Sequence, residues 1–145
     1  WAWAWAWQVA VLDEAGAPLR ASDTSRRFFE AVWVHEHEGR YYLSYSTGDT
    51  HLLVYAVGAS PEGPFTYRGV LLQPVRGWTT HHSIVKFEHQ WWLMHHDASL
   101  SNGDDARRCV KAARLLHEQD GSIQVHLGRA PTDHSSTLPE QPRRG

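Results

Sequence analysis

Glu30 stands between Phe29 and Ala31, three residues before Trp33, a setting that could partly desolvate its carboxyl. Apolar neighbours can strip water from a carboxyl and so favour its protonated form, the state a general acid requires. The competing reading is a solvated glutamate at the start of a strand. Other groups with chemical potential are the pair His81-His82, the pair Arg107-Arg108, the run His95-His96-Asp97, and the indoles of Trp33 and Trp78. Tryptophan faces suit neutral rings such as sugars, although both could equally be core residues. His35-Glu36-His37 does not have the helical two-histidine zinc spacing, because a strand sends Glu36 to the face opposite both histidines. Cys109 is the single cysteine, so no internal disulfide and no cysteine pair for zinc exist; a buried, inert thiol in a strand is expected. Asp97 reads as a structural residue at a strand end rather than a catalytic one.

The whole composition narrows the function classes. In 145 residues there are 14 Lys and Arg against 16 Asp and Glu, a formal charge of −2, which supplies no field for nucleic acid or for an anionic membrane surface. No apolar run approaches the roughly 18 residues that cross a bilayer, and no phosphate-cradling glycine loop is present. A water-soluble chain is expected; any leader would lie upstream, a secreted parent is compatible with the composition, and localisation stays open. Eight tryptophans, five tyrosines and eleven histidines give a polar-aromatic mixture suited to carbohydrate.

The elements that would position these groups are all strands. Short apolar and aromatic runs alternate with turn signals from Phe28 onward: strands are expected at 30–37, 40–46, 51–57 and 65–72, and again at 83–87, 91–97, 107–115 and 122–125. The turns between them are Glu38-Gly39, Gly48-Asp49, Ser60-Pro61-Glu62-Gly63-Pro64, Glu88-His89-Gln90, 99–105 and Asp120-Gly121. Tyr41-Tyr42-Leu43 recurs as Trp91-Trp92-Leu93 fifty residues later, so two four-stranded units repeat, slightly longer than the roughly 40 to 45 residues of the commonest propeller blade. Glu30 and His81 occupy almost the same point of successive units, just before the first strand of each. Equivalent points of propeller blades converge on one end of the axis, so both side chains are expected at one pocket, with His82 turned to the opposite face.

Three stretches carry a resemblance that covers about residues 28–125. They are Phe28-Phe29-Glu30-Ala31-Val32-Trp33 with Gly39-Arg40-Tyr41-Tyr42-Leu43-Ser44-Tyr45-Ser46-Thr47-Gly48, then Ser60-Pro61-Glu62-Gly63-Pro64-Phe65, then Gly77-Trp78-Thr79-Thr80-His81-His82-Ser83-Ile84. Together with the run to Asp97 and Arg108-Cys109-Val110-Lys111, this pattern resembles glycoside hydrolase family 43, the five-bladed β-propeller enzymes that act on xylan and arabinan. The resemblance implies an inverting hydrolase with Glu30 as general acid, and with a general base Asp and a second, acid-tuning Asp in blades outside this chain. It further implies Arg108 in the pocket, reaching the sugar or the carboxylates, with Arg107 as a surface charge. His81 is implied as a contact of a central calcium, in part through water, since imidazole is a poor ligand for a hard cation.

The fold expected is therefore all-β, a partial five-bladed β-propeller of about two complete four-stranded blades plus part of a preceding one, contributed by Val9 to Leu19. Residues 8–126 form the C-terminal portion of that propeller. Trp1 to Trp7 is a low-complexity Trp/Ala end, and 127–145 a tail expected to be disordered. The partners expected are a xylan- or arabinan-derived carbohydrate and the missing N-terminal blades. With two carboxylates lacking, the chain by itself is expected to be an incomplete enzyme; the alternatives are a carbohydrate-binding propeller without catalysis and an inactive fragment.

Overall fold

The computed structural model describes residues 9–78 and 80–128; the Trp/Ala end and most of the tail lie outside them. Nine strands follow one another: β1 (Val11–Leu12), β2 (Glu30–His37), β3 (Arg40–Ser46), β4 (Leu53–Gly58), β5 (Phe65–Leu72), β6 (His82–Phe87), β7 (Gln90–Asp97), β8 (Cys109–His117) and β9 (Ile123–His126). They build two sheets, ordered β1-β5-β4-β3-β2 and β6-β7-β8-β9. Each four-stranded up-and-down unit has its first strand at one edge, and β2 meets β6. This is the expected pair of propeller blades.

Both opening hairpins turn on two residues with positive φ, Glu38 (50°) with Gly39 (73°) and Glu88 (46°) with His89 (67°). Two such residues in a row match the right-handed twist of the flanking strands. Gly39 adopts this conformation freely, whereas His89 carries a Cβ into it.

Alternation along the strands divides the apolar residues between two faces. Tyr42, Leu53, Tyr55 and Leu72 of the first sheet pack against Ile84, Leu93, Leu115 and Ile123 of the second. Leu43, Tyr45, Val54, Ala56, Phe65 and Tyr67 form a second core on the opposite face of the first sheet, with Val11 against it. The segment before β2 covers that face: the Tyr45 hydroxyl donates to the Arg26 carbonyl, and the Arg26 guanidinium lies 5.8 Å over the Tyr67 ring. The second sheet turns Val85, Phe87, Val110 and Leu116 outward, where they are exposed.

Three expectations are corrected. Val9 to Leu19 does not add a strand to a preceding blade: Val11 and Leu12 pair in parallel with Phe65 and Thr66, making β1 a fifth strand that satisfies the outer edge of β5. Strand β4 starts at Leu53 rather than His51, because Thr47 and Leu52 close the preceding loop by reciprocal backbone and hydroxyl hydrogen bonds. Strand β8 starts at Cys109 rather than Arg107, whose N–H is taken by the Asp104 carbonyl in a turn.

Polar groups also cross the interface between the sheets. The Trp33 indole N–H donates to the Ile84 carbonyl at 3.0 Å, the Ser46 hydroxyl to the Thr80 carbonyl at 2.6 Å, and Ser44 Oγ meets His82 Nε2 at 2.6 Å. Farther along, His35 Nε2 and His117 Nε2 are 2.9 Å apart. Burial, with a smaller contribution from His81 and His95, pushes His82 down to about 4. Burial and the neighbouring His37 push His35 down to about 4 and His117 down to about 3.

Two outcomes follow for stability. His89→Gly removes the Cβ from a left-handed position and is expected to stabilise the fold by about 0.5 to 1 kcal/mol in urea titrations followed by tryptophan fluorescence; a loss of stability would contradict the turn assignment. Histidines held neutral in the fold give stability that is complete above the unfolded value of 6.5 and is lost as pH falls through their folded values. Unfolding free energy should therefore be flat from pH 8 to 7 and fall between pH 6.5 and 4, with up to about 3 kcal/mol from His82 alone, and His82→Gln should flatten that slope.

Candidate active site

Glu30 reaches the site through an irregularity in β2. Its cross-strand partner is Ser46, and the next pair is Trp33 with Ser44, so three steps along β2 match two along β3. The extra residue is a β-bulge, and Ala31 within it takes φ 58°, a left-handed conformation that disfavours residues with a Cβ. Residues directly opposite one another in an antiparallel pair share a face, so Glu30, Ser46, Trp33 and Ser44 all project toward the second sheet. A regular strand would send Glu30 and Trp33 to opposite faces.

On that face Glu30 meets His81, whose Nε2 lies 3.6 Å from Oε1 of the glutamate. The site is open, with 36% of the Glu30 side chain and 56% of the His81 side chain exposed to solvent. The spacing of the two units thus brings together the residues it pointed to. His82, one position on, points the other way into the Ser44 contact, as alternation requires.

The row continues past His81. The His81 ring lies nearly parallel to the His96 ring, at 24° and 5.6 Å between centroids, and the His81 backbone N–H donates to His96 Nε2 at 3.0 Å. Arg108 Nη1 is 3.4 Å from the same nitrogen, while Arg108 Nε donates to the Asp105 carbonyl at 2.9 Å. Asp105 Oδ1 in turn accepts the Trp78 N–H at 2.9 Å. Glu30, His81, His96 and Arg108 thus follow one another across the blade junction, with Trp78 anchored beside the arginine.

The two tryptophans divide. Trp33 is half-buried and packed against the inter-sheet core, its N–H already used, so its ring is committed to holding the blades together. Trp78 is 61% exposed, and its ring and the His51 ring meet edge to face with 4.8 Å between centroids. Arg107 is exposed and paired with Asp104 at 2.7 Å, away from the row. Asp97 is structural: it is 6% exposed, accepts from Ser99, Cys109 and Lys111, and stands 2.5 Å from the Lys111 ammonium. Burial would raise its pKa, but these donors outweigh burial and hold the carboxyl well below the usual range. Cys109 is half-buried and directed to Asp97.

Sequence reasoning passed over Ala31 and His96. The signal for Ala31 was the odd spacing of Glu30 and Trp33, two residues wanted on one face. The signal for His96 was its place opposite His81 in the hairpin, which becomes visible once β6 and β7 are registered by their turn.

Among the described residues, no three His, Cys, Asp or Glu side chains converge on a point that could hold a metal ion. His81 offers one nitrogen, which fits a single contact to a hard cation, direct or through water, and not a shell.

No protein-family model matches the chain. Curated relatives do: the chain is 58% identical over 121 residues to a xylosidase/arabinosidase of Bacteroides ovatus and 60% identical over 115 residues to xylosidase/arabinosidase 43A of Humicola insolens. These matches take in 83% and 79% of the chain but only 37% and 35% of the relatives, so the chain spans about a third of their length. The fold superimposes with a TM-score of 0.78 and 57% identity on a GH43 beta-xylosidase/alpha-arabinofuranosidase from a compost microbial metagenome, solved with xylotriose in a calcium-free form, over 80% of this chain and 35% of that one. With more than half of its residues shared along about four fifths of its length, and a fold that superimposes over the same span, the chain belongs to glycoside hydrolase family 43.

Proposed function

We propose that this chain is part of a glycoside hydrolase that cleaves O-glycosidic bonds of xylan- or arabinoxylan-type chains with inversion, and that Glu30 is its general acid. The observation that carries this reading is the bulge at Ala31, which turns a carboxyl toward His81 at the junction of two blades. In inversion one protonated carboxyl donates to the leaving oxygen, while a carboxylate roughly 6.5 to 9.5 Å away activates water on the opposite face of the sugar. Glu30 fills the first role. The base and the second, acid-tuning aspartate are assigned to blades outside this chain.

Arg108 suits a bidentate contact to sugar hydroxyls or to a carboxylate, since its Nε is held by a backbone carbonyl and the outer edge of the fork stays available. Trp78 supplies a stacking face for a pentose, and Trp33 supports the strand that carries the acid. His81 would make one contact, partly through water, to a pocket calcium whose other ligands are water and groups beyond this chain. The metagenomic relative was solved with xylotriose, which favours a xylan-derived substrate.

A chain that spans a third of its relatives is expected to be inactive alone. Hydrolysis of p-nitrophenyl xyloside and arabinofuranoside should appear only when it is joined to the remaining blades, and Glu30→Gln should then lower kcat by about 10² to 10⁴-fold. An unchanged rate in Glu30→Gln would remove the acid assignment, and a joined protein that binds xylan without cleaving it would favour the carbohydrate-binding alternative. Ala31→Val puts a β-branched residue into the left-handed bulge. It is expected to cost about 1 to 3 kcal/mol of stability and at least tenfold in kcat, while Ala31→Gly keeps activity.

A further inference from the structure

Past the pair His82 and His95, the ladder between β6 and β7 stops being regular. His96 N–H still donates to the His81 carbonyl at 3.3 Å, but the return bond is replaced. The His81 N–H goes instead to His96 Nε2, and the His96 carbonyl is taken by the Thr80 hydroxyl. A side chain therefore stands where a backbone carbonyl would, at the point where His81 leaves the sheet toward Glu30. The second donor on that nitrogen, the Arg108 guanidinium at 3.4 Å, cannot give up its role as donor, and neither can a backbone amide. Nε2 must then be the bare nitrogen, with the proton on Nδ1, which is buried without a partner.

We propose that His96 is a positioning residue, a neutral imidazole protonated on Nδ1 whose Nε2 fixes the backbone of His81 and the guanidinium of Arg108 at a common point. This rests on the reading of Glu30, His81 and Arg108 as the working groups of the pocket. The titratable and charged groups facing His96 are Arg108, His81 and His95, with Glu30 beyond His81. A proton on Nε2 in place of the lone pair would leave both donors without their acceptor.

The direct test is a through-hydrogen-bond nitrogen-nitrogen correlation spectrum of the uniformly ¹⁵N-labelled chain. A cross-peak is expected at pH 7.5 from the His81 amide to His96 Nε2, with His96 ring shifts of the Nδ1-protonated form, and it should vanish in His96→Gln, whose acceptor is oxygen. A proton on Nε2 at pH 7.5, or no cross-peak from a folded chain, overturns the assignment. The second measurement is kinetic and uses the chain joined to its remaining blades. His96→Phe should lower kcat by about 10-fold or more with KM within about twofold, and His96→Gln should recover most of it by restoring an acceptor at the same reach. Equal losses in both variants would mean that the ring only fills space, and unchanged kcat in His96→Phe would also overturn the proposal. The two readings fail separately: active Glu30→Gln with an intact cross-peak removes the general acid alone, and a missing cross-peak with inactive Glu30→Gln removes only the role of His96.

Discussion

Because successive side chains of a strand leave on opposite faces, Trp33, His35 and His37 all meet the second sheet, and Glu30 can join them only if the strand gains a residue. Ala31 is that residue, and it holds a backbone conformation that a methyl group opposes. The interface between the blades over-determines it: Trp33 is tied to the Ile84 carbonyl and Ser46 to the Thr80 carbonyl, so the strand on either side of the bulge cannot slide. Strain at one position is thus maintained by packing and hydrogen bonds at its neighbours, which is how an otherwise regular sheet comes to aim a carboxyl across a blade junction.

The same interface explains the crowd of histidines. A propeller blade presents one face to the next, and near the axis that face must be narrow, so small hydroxyls and flat imidazoles replace branched aliphatics. Ser44, Ser46 and His82 are used this way here: the Ser44 hydroxyl meets His82 and the Ser46 hydroxyl the Thr80 carbonyl, both across the junction. The orphaned Nδ1 atoms of His35, His82 and His117 show the cost of this choice: one side of each ring is satisfied and the other is simply desolvated. Such rings stay in place only while neutral, which couples the cohesion of the two blades to proton activity.

Much of this was legible in the sequence. The doubled aromatics at Tyr41-Tyr42 and Trp91-Trp92 fixed the repeat, Glu38-Gly39 and Glu88-His89 fixed the hairpins, and the repeat carried Glu30 and His81 to one place. What escaped were departures from regularity. A bulge adds a residue without changing composition, so Ala31 looks like any strand alanine. The role of Trp33 depends on which carbonyl lies across the junction, a tertiary fact. His96 was hidden because its importance comes from a backbone group it replaces, not from a motif. The parallel pairing of Val11 with Phe65 has no local signal at all, since two residues carry no periodicity.

The two faces of the first sheet are both covered, and the second sheet is covered on one. Strand β4 shows the extreme, with Leu53, Val54 and Ala56 at 0% exposure and Tyr55 at 4%. The molecule is therefore built in two tiers of cooperativity. Amide protons of β3 and β4 can exchange with solvent only when both cores open, a global event, while those of β9 and the outer half of β8, with Leu116 in water, are released by local fraying. The outer strands of the second blade can therefore loosen and re-form while the junction that holds Glu30 and His81 together stays closed.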